Sequence, residues 1–175
     1  MNNISDLKNI KIKINVAAGV IFRYDDINKK QVLLIKRSKN DHYPFFYEFP
    51  RGKCNRSEDI IKCLKREIKE ETSLDITPVK LIDTIEYIAD EGTRLTKCYN
   101  FLCQLIDNRQ QVKLSKEHSV FRWISQLGEA MLMVQPEQYK TLSKVMSTEN
   151  QIISYPSNNF TANNKVEEYL KWIQH

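Results

Sequence analysis

A chain of 175 residues, 41% hydrophobic and 28% charged, has the balance of an ordinary globular protein, with room for one well-cored domain plus an appendage rather than two domains. Its formal charge of +5 favours a polyanionic partner without specifying nucleic acid. No apolar run approaches the roughly 20 residues that span a bilayer. The opening MNNISDLKNIKIKIN also lacks the apolar core of a secretory signal, so no membrane partner is expected, and the location is expected to be cytoplasmic or nuclear.

Residues 11–24 are small, β-branched and apolar around VAAGVIFRY, the composition of a buried central strand. The polar DDINKK predicts a turn, and residues 31–37, QVLLIKR, a returning strand. KRSKNDHYPFFYEFPRGK is broken by proline and dense in aromatic and basic residues, so it reads as a loop with a short strand. Residues 57–72 then take helical spacing. Ile60, Ile61, Leu64 and Ile68 fall on one arc, Lys62, Lys65 and Lys69 on a second, and Glu67, Glu70 and Glu71 on a third. A helix built only for solubility interleaves its charges at i,i+4; this one segregates them.

Two long strand candidates follow, PVKLIDTIEYIA and TRLTKCYNFLCQLI, joined by a turn at ADEGTR in which Gly92 supplies the permissive backbone. HSVFRWIS is a shorter strand, with Trp123 expected in the core. QLGEAMLM and PEQYKTLSKVM read as helices, the second with Pro136 in its first turn. Strands around one helix, closed by another, give an α/β fold with a mixed sheet and helices on both faces. Beyond the polar, proline-broken ENQIISYPSNNFTANN, residues Val166, Tyr169, Leu170 and Ile173 make the apolar stripe of a short C-terminal helix. The expected division is a domain over 1–148, then a linker and helix over 149–175. That helix packs on the domain or makes a homodimer or partner contact, with Trp172 on its flank. Cys54, Cys63, Cys98 and Cys103 form no CxxC pair and have no histidine at zinc spacing, so all four are expected as reduced thiols.

Three carboxylates on one helical face repel one another unless something positive sits among them. A hard divalent cation with oxygen ligands is the usual answer. The run from Gly52 to Leu74 resembles the Nudix box, Gly-x5-Glu-x7-Arg-Glu-U-x-Glu-Glu-x-Gly-U, where U is a bulky aliphatic residue. Gly52, Glu58, Arg66, Glu67, Ile68, Glu70, Glu71 and Leu74 match in type and spacing, and Ser73 stands where the pattern has glycine. The resemblance implies a Nudix-type α/β/α sandwich over residues 11–147, with a loop and helix that hold Mg2+ or Mn2+ against a diphosphate linkage. It makes Glu67, Glu70, Glu71 and Glu58 the metal set, and gives Glu67 and Glu70 a part in activating water. Arg66 would orient the glutamates, and Gly52 would shape the loop. Ser73 would either accept a strained left-handed cap or end the helix by another turn.

Phosphate oxygens need cations, and Arg37, Arg51 and Lys53 around Gly52 are the first candidates, followed by Lys39 and Arg56. Tyr43 and Tyr47, in a segment that also holds Phe45, Phe46 and Phe49, could offer a wall on which a base stacks, with Tyr87 a further candidate. LSKEHSVFRW, residues 114–123, is similar to a stretch of the diadenosine tetraphosphate hydrolases within the Nudix superfamily. That similarity makes Glu117 a candidate fourth metal ligand or general base and places His118 near the phosphates. FPRGK, residues 49–53, resembles the same point in the Nudix domain of mRNA-decapping enzymes, although few residues precede the first strand to hold the regulatory domain of that branch. The expected substrate is a dinucleoside polyphosphate or a capped nucleotide, with capped RNA as the larger form. The alternatives are a diphosphoinositol polyphosphate, or a Nudix-fold protein that binds nucleotide or RNA with little turnover.

Overall fold

The computed structural model describes residues 10, 12–39, 46–89, 93–130 and 134–147. Among them the order is β1 (Ile12–Tyr24), β2 (Lys30–Arg37), β3 (Tyr47–Glu48), β4 (Arg51–Lys53), α1 (Ile60–Thr72), β5 (Ile76–Ala89), β6 (Arg94–Leu105), β7 (His118–Ile124) and α2 (Pro136–Met146). A 3-10 turn, Leu127–Ala130, precedes α2.

β1 is the spine. From Ile12 to Phe22 it runs parallel to β6, which is antiparallel to β5. On its other edge β1 divides its pairing, Val16–Ala18 against β4 and Phe22–Tyr24 against β2. β2 in turn carries β7 and β3, both antiparallel. The sheet is therefore mixed, as the element order implies.

Side-chain alternation assigns each face a helix. Val16, Ala18 and Val20 of β1 pack with Val32, Leu34 and Leu142 and Val145 of α2. Ala17 and Ile21 pack with Leu33, Ile35 and Leu64 and Ile68 of α1. Burial on both faces is why VAAGVI reads as a continuous apolar run rather than an alternating one. The approach of α1 is closest at Gly19, where a Cβ would fall 2.3 Å from Ile68 Cδ1. The architecture is the α/β/α sandwich.

Several expectations change in detail. The acidic helix begins at Ile60 rather than at residue 57, because Ser57 sits at φ 64° and cannot continue a right-handed turn. Of QLGEAMLM, the described part is only the 3-10 turn Leu127–Ala130, whereas α2 starts at Pro136 as expected. Trp123 is half-buried at the edge of the α1-side core, with the Arg23 guanidinium 4.2 Å above its ring. The largest departure concerns the cysteines. Cys98 and Cys103 are free and buried, but Cys54 and Cys63 are joined by a disulfide. Folding brings their Cα atoms to 5.2 Å, a proximity set by the turn from β4 into α1 and invisible in a nine-residue spacing. Tyr43, Phe45, the Gly92 turn, the end of QLGEAMLM and the C-terminal linker and helix lie outside the described residues. Among those described, no helix is long and apolar enough to cross a membrane.

Candidate active site

The loop from β4 into α1 is shaped by its own polar residues. Asp59 caps α1, its carboxylate accepting the N–H groups of Ile61 and Lys62 at 3.0 Å each. Glu58 turns back to accept the Asn55 N–H at 2.8 Å. It also accepts Arg66 Nε and Nη2 at 2.9 and 2.8 Å. Those bonds, first the one from Arg66 and then the backbone one, hold the Glu58 carboxyl down at about 2. The same guanidinium donates to Glu67 at 2.7 Å, to Glu70 at 3.2 Å and to the Lys53 carbonyl at 3.1 Å. Arg66 thus ties the loop to three of the four box glutamates.

Glu67 lies over Gly52. A Cβ on Gly52 would fall 1.8 Å from Glu67 Oε2, so any larger residue must move the carboxylate. Burial raises the Glu67 carboxyl above its ordinary range despite the pull of Arg66. Glu71 points further inward. Its Oε2 accepts the Arg51 N–H at 2.9 Å, yet burial, reinforced by the charges of Glu48, Glu67 and Glu117, pushes its carboxyl up to about 9. Glu70 is the outermost, with 59% of its side chain exposed. Glu58, Glu67 and Glu70 therefore gather on one guanidinium, while Glu71 lies deeper on the same helix, bonded to the Arg51 N–H and disfavoured as an anion by burial. That donor set, all oxygen and short of positive charge, fits a hard divalent cation.

Behind these residues is a buried carboxylate that the sequence reading passed over. Glu48 is 4% exposed and takes Arg37 Nε at 2.5 Å on Oε1 and Arg51 Nε at 2.9 Å on Oε2. Burial opposes its ionisation, but His118, Arg51 and Arg37 more than offset it, so its pKa stays below the usual value. The signal that could have found it is an acid inside an aromatic run, bracketed by Arg37 and Arg51. His118 sits inside this group rather than at a surface. Its Nε2 is 3.6 Å from Glu48 and 3.9 Å from Glu71, and neither ring nitrogen has a hydrogen-bond partner among the described residues.

The remaining candidates divide. Arg37, Arg51 and His118 converge on Glu48. Glu117 is exposed on the loop before β7, within electrostatic reach of Glu71, and its carbonyl accepts the Ser38 N–H at 2.9 Å. Lys53 is exposed and Lys39 and Arg56 likewise face solvent. Tyr87 is half-buried against the α2-side core and close enough to Arg51 for their charges to interact. Tyr47 departs from the stacking-wall expectation. It is 6% exposed within the α2-side core, with Lys36 and Arg122 near its ring at 5.8 and 5.6 Å, and a ring so buried does not present a stacking surface. Phe49 is buried as well, because the short strand turns inward here. Phe46 stays exposed.

A NUDIX domain family model matches residues 13–145. An 8-oxo-dGTP diphosphatase of Proteus vulgaris is 38% identical over 77 residues, which are 44% of this chain and 65% of that protein. An m7GpppN-mRNA hydrolase of Saccharomyces cerevisiae is 26% identical over 171 residues, covering 94% of this chain but 14% of the yeast protein. Among solved structures, a C. elegans Ap4A hydrolase in a binary complex superposes with a TM-score of 0.66 at 26% identity, over 77% of this chain and 96% of that one. The matched span includes the whole β4–α1 site and the sandwich that carries it, and on that ground the chain belongs to the Nudix hydrolase family.

Proposed function

We propose that the protein hydrolyses a diphosphate linkage in a dinucleoside polyphosphate, with Mg2+ or Mn2+ held by Glu67, Glu70 and Glu71 and assisted by Glu58. The observation that carries this reading is the gathering of three carboxylates, Glu58, Glu67 and Glu70, on Arg66, with a fourth, Glu71, buried on the same helix and its carboxyl raised by that burial. A bound divalent cation supplies charge to the phosphate oxygens and acidifies water. The chain's own groups do the rest. Arg37, Arg51 and Lys53 bind phosphate, Gly52 lets the loop approach Glu67, and Arg66 keeps the glutamates in register. Glu67, Glu70 or Glu117 accepts the proton of the attacking water, and His118 lies between the Glu48 and Glu71 carboxylates that back the site. Of the tyrosine candidates that are described, Tyr87 rather than Tyr47 is left for the base. A nucleotide substrate of this kind fits a cytosolic or nuclear location.

The likeness to the Ap4A hydrolase structure and the LSKEHSVFRW segment support the dinucleoside polyphosphate. A capped RNA end is the second reading, favoured by the alignment with the yeast mRNA hydrolase across 94% of this chain. The name of the Proteus relative adds 8-oxo-dGTP to the substances to be tried. The test is a panel of diadenosine tetraphosphate, capped RNA, 8-oxo-dGTP and a diphosphoinositol phosphate with Mg2+ or Mn2+. Diadenosine tetraphosphate should be cleaved with the highest kcat/KM, and Glu70→Gln should lower that rate by about 100-fold or more. Tight binding of one compound with turnover of none would instead make this a binding protein.

A further inference from the structure

The disulfide lies against the metal-gathering residues without belonging to them. Cys54 directly follows β4, which carries Gly52, and Cys63 stands in the first turn of α1. The bond therefore spans the loop that bears Glu58. On one side Cys63 Sγ is 3.9 Å from the Gly52 carbonyl, and on the other Arg66 Nη2 is 4.0 Å from the same sulfur. Glu58 also has an oxygen within 4.8 Å of both sulfurs. Its carboxylate is already engaged by Arg66 and the Asn55 N–H, so the chemistry left to the two sulfurs is with each other.

We propose that Cys54 and Cys63 form a thiol–disulfide couple that controls divalent-metal binding at the neighbouring glutamates. Exposure decides the order of events. Cys63 is fully buried and Cys54 is partly exposed, so Cys54 is the sulfur that a small thiol or disulfide can reach. In oxidation, the Cys54 thiolate attacks a low-molecular-weight disulfide and releases one thiol. The Cys63 thiolate then attacks Cys54 Sγ and releases the second. The two protein thiols give up two protons and two electrons, and the small disulfide becomes two thiols. In reduction, a small thiolate attacks Cys54 Sγ and Cys63 leaves as thiolate, with the Arg66 guanidinium beside it to stabilise the departing charge. A second thiolate then frees Cys54.

The state of the couple reaches the metal set through Gly52 and Arg66. With the bond closed, β4 is fastened to α1 one helical turn before Arg66 and Glu67, and the space over Gly52 that holds the Glu67 carboxylate is fixed. With it open, the loop keeps only the Glu58–Arg66 bonds and its other polar contacts, and a larger set of arrangements must be narrowed when metal binds.

The inference rests on the metal-holding reading of the glutamates, and its test separates the two. Full-length protein is equilibrated with oxidised or reduced glutathione, then denatured, alkylated and weighed, while Mg2+ and Mn2+ binding are measured by calorimetry. Two alkylated cysteines are expected after oxidised glutathione, Cys98 and Cys103, and all four after the reduced form. Reduction should weaken metal binding by about fivefold or more and lower the thermal midpoint by about 5 °C. Cys54→Ser should bind metal like the reduced protein in either buffer. Four alkylated cysteines in oxidised glutathione would overturn the couple. Equal metal affinity in the two states, or a Cys54→Ser protein that still responds to the buffer, would overturn the control. Absence of metal binding in both states would overturn it through the metal reading, and the thiol count would tell the two failures apart.

Discussion

Gly52 and Glu67 use one space between them, and the box glycine is explained by that contact rather than by a turn. Gly52→Ala should push the Glu67 carboxylate off its position. A displacement of that size is expected to lower hydrolysis by about 100-fold and to weaken Mg2+ binding, read by initial rates and calorimetry, with the circular dichroism unchanged. Glu71 gives a pH signature. Its folded carboxyl is raised from about 4.5 to about 9, so its neutral form favours the metal-free fold fully below pH 4.5, and that contribution is lost as pH climbs toward 9. On the proposed reading of Glu71 as a metal ligand, metal binding needs the anion. Below pH 9 it should release about one proton and tighten with pH, which calorimetry in buffers of different ionisation enthalpy will show. Glu71→Gln should remove the larger part of the proton release, leaving the share that comes from Glu67. At this scale the sequence displayed the box glutamates and Arg66, because their partners lie within one helix and one loop. It hid Glu48, whose partners Arg37 and His118 come from other strands, and it hid Tyr47, whose burial depends on how a two-residue strand meets α2. It also hid the Cys54–Cys63 bond, since only the fold brings those sulfurs together.

α1 shows how one element reconciles a site with a stop signal. Its apolar arc docks, with Leu64 and Ile68 buried, and its lysines Lys62, Lys65 and Lys69 face solvent. The acidic arc runs from exposed Glu70 to buried Glu71, a gradient that helical angles alone do not predict. Ser73 resolves the alternatives at its end. It adopts φ 60°, ψ 13°, donates its N–H to the Lys69 carbonyl at 2.9 Å, and places its hydroxyl 3.2 Å from the Lys113 carbonyl. Serine therefore accepts the left-handed cap and recovers part of its cost with a side-chain bond. Ser73→Gly should stabilise the fold by about 0.5–1 kcal/mol, the strain relieved less the exposed hydrogen bond lost. Urea denaturation measures it, and metal affinity should not change, since every box carboxylate precedes the cap.

Across the whole molecule, the sheet separates two duties. The α1 face carries the box glutamates, and the α2 face is mainly packing, with Leu142 fully buried among Val16, Val20 and Leu34. Leu142→Ala should cost about 2–5 kcal/mol in urea denaturation while leaving kcat/KM near its original value at temperatures where the variant stays folded. Hydrophobic periodicity displayed both helices and the long strands, and their order implied the sandwich. Partnership was not legible, because a period of two says which residues share a face but not which strand lies alongside. That applies above all to β1, which pairs in parallel with β6 from Ile12 to Phe22 and touches β2 only at its far end. Such pairing governs when the protein can come into being. During synthesis β1 leaves the ribosome early and must wait, apolar on both faces, until β5 has emerged and β6 follows it. Helix α1 can form beforehand, but it has no completed sheet to dock on. The chain is thus expected to fold late and slowly for its size, and its nascent N-terminal half is the part that most needs a chaperone.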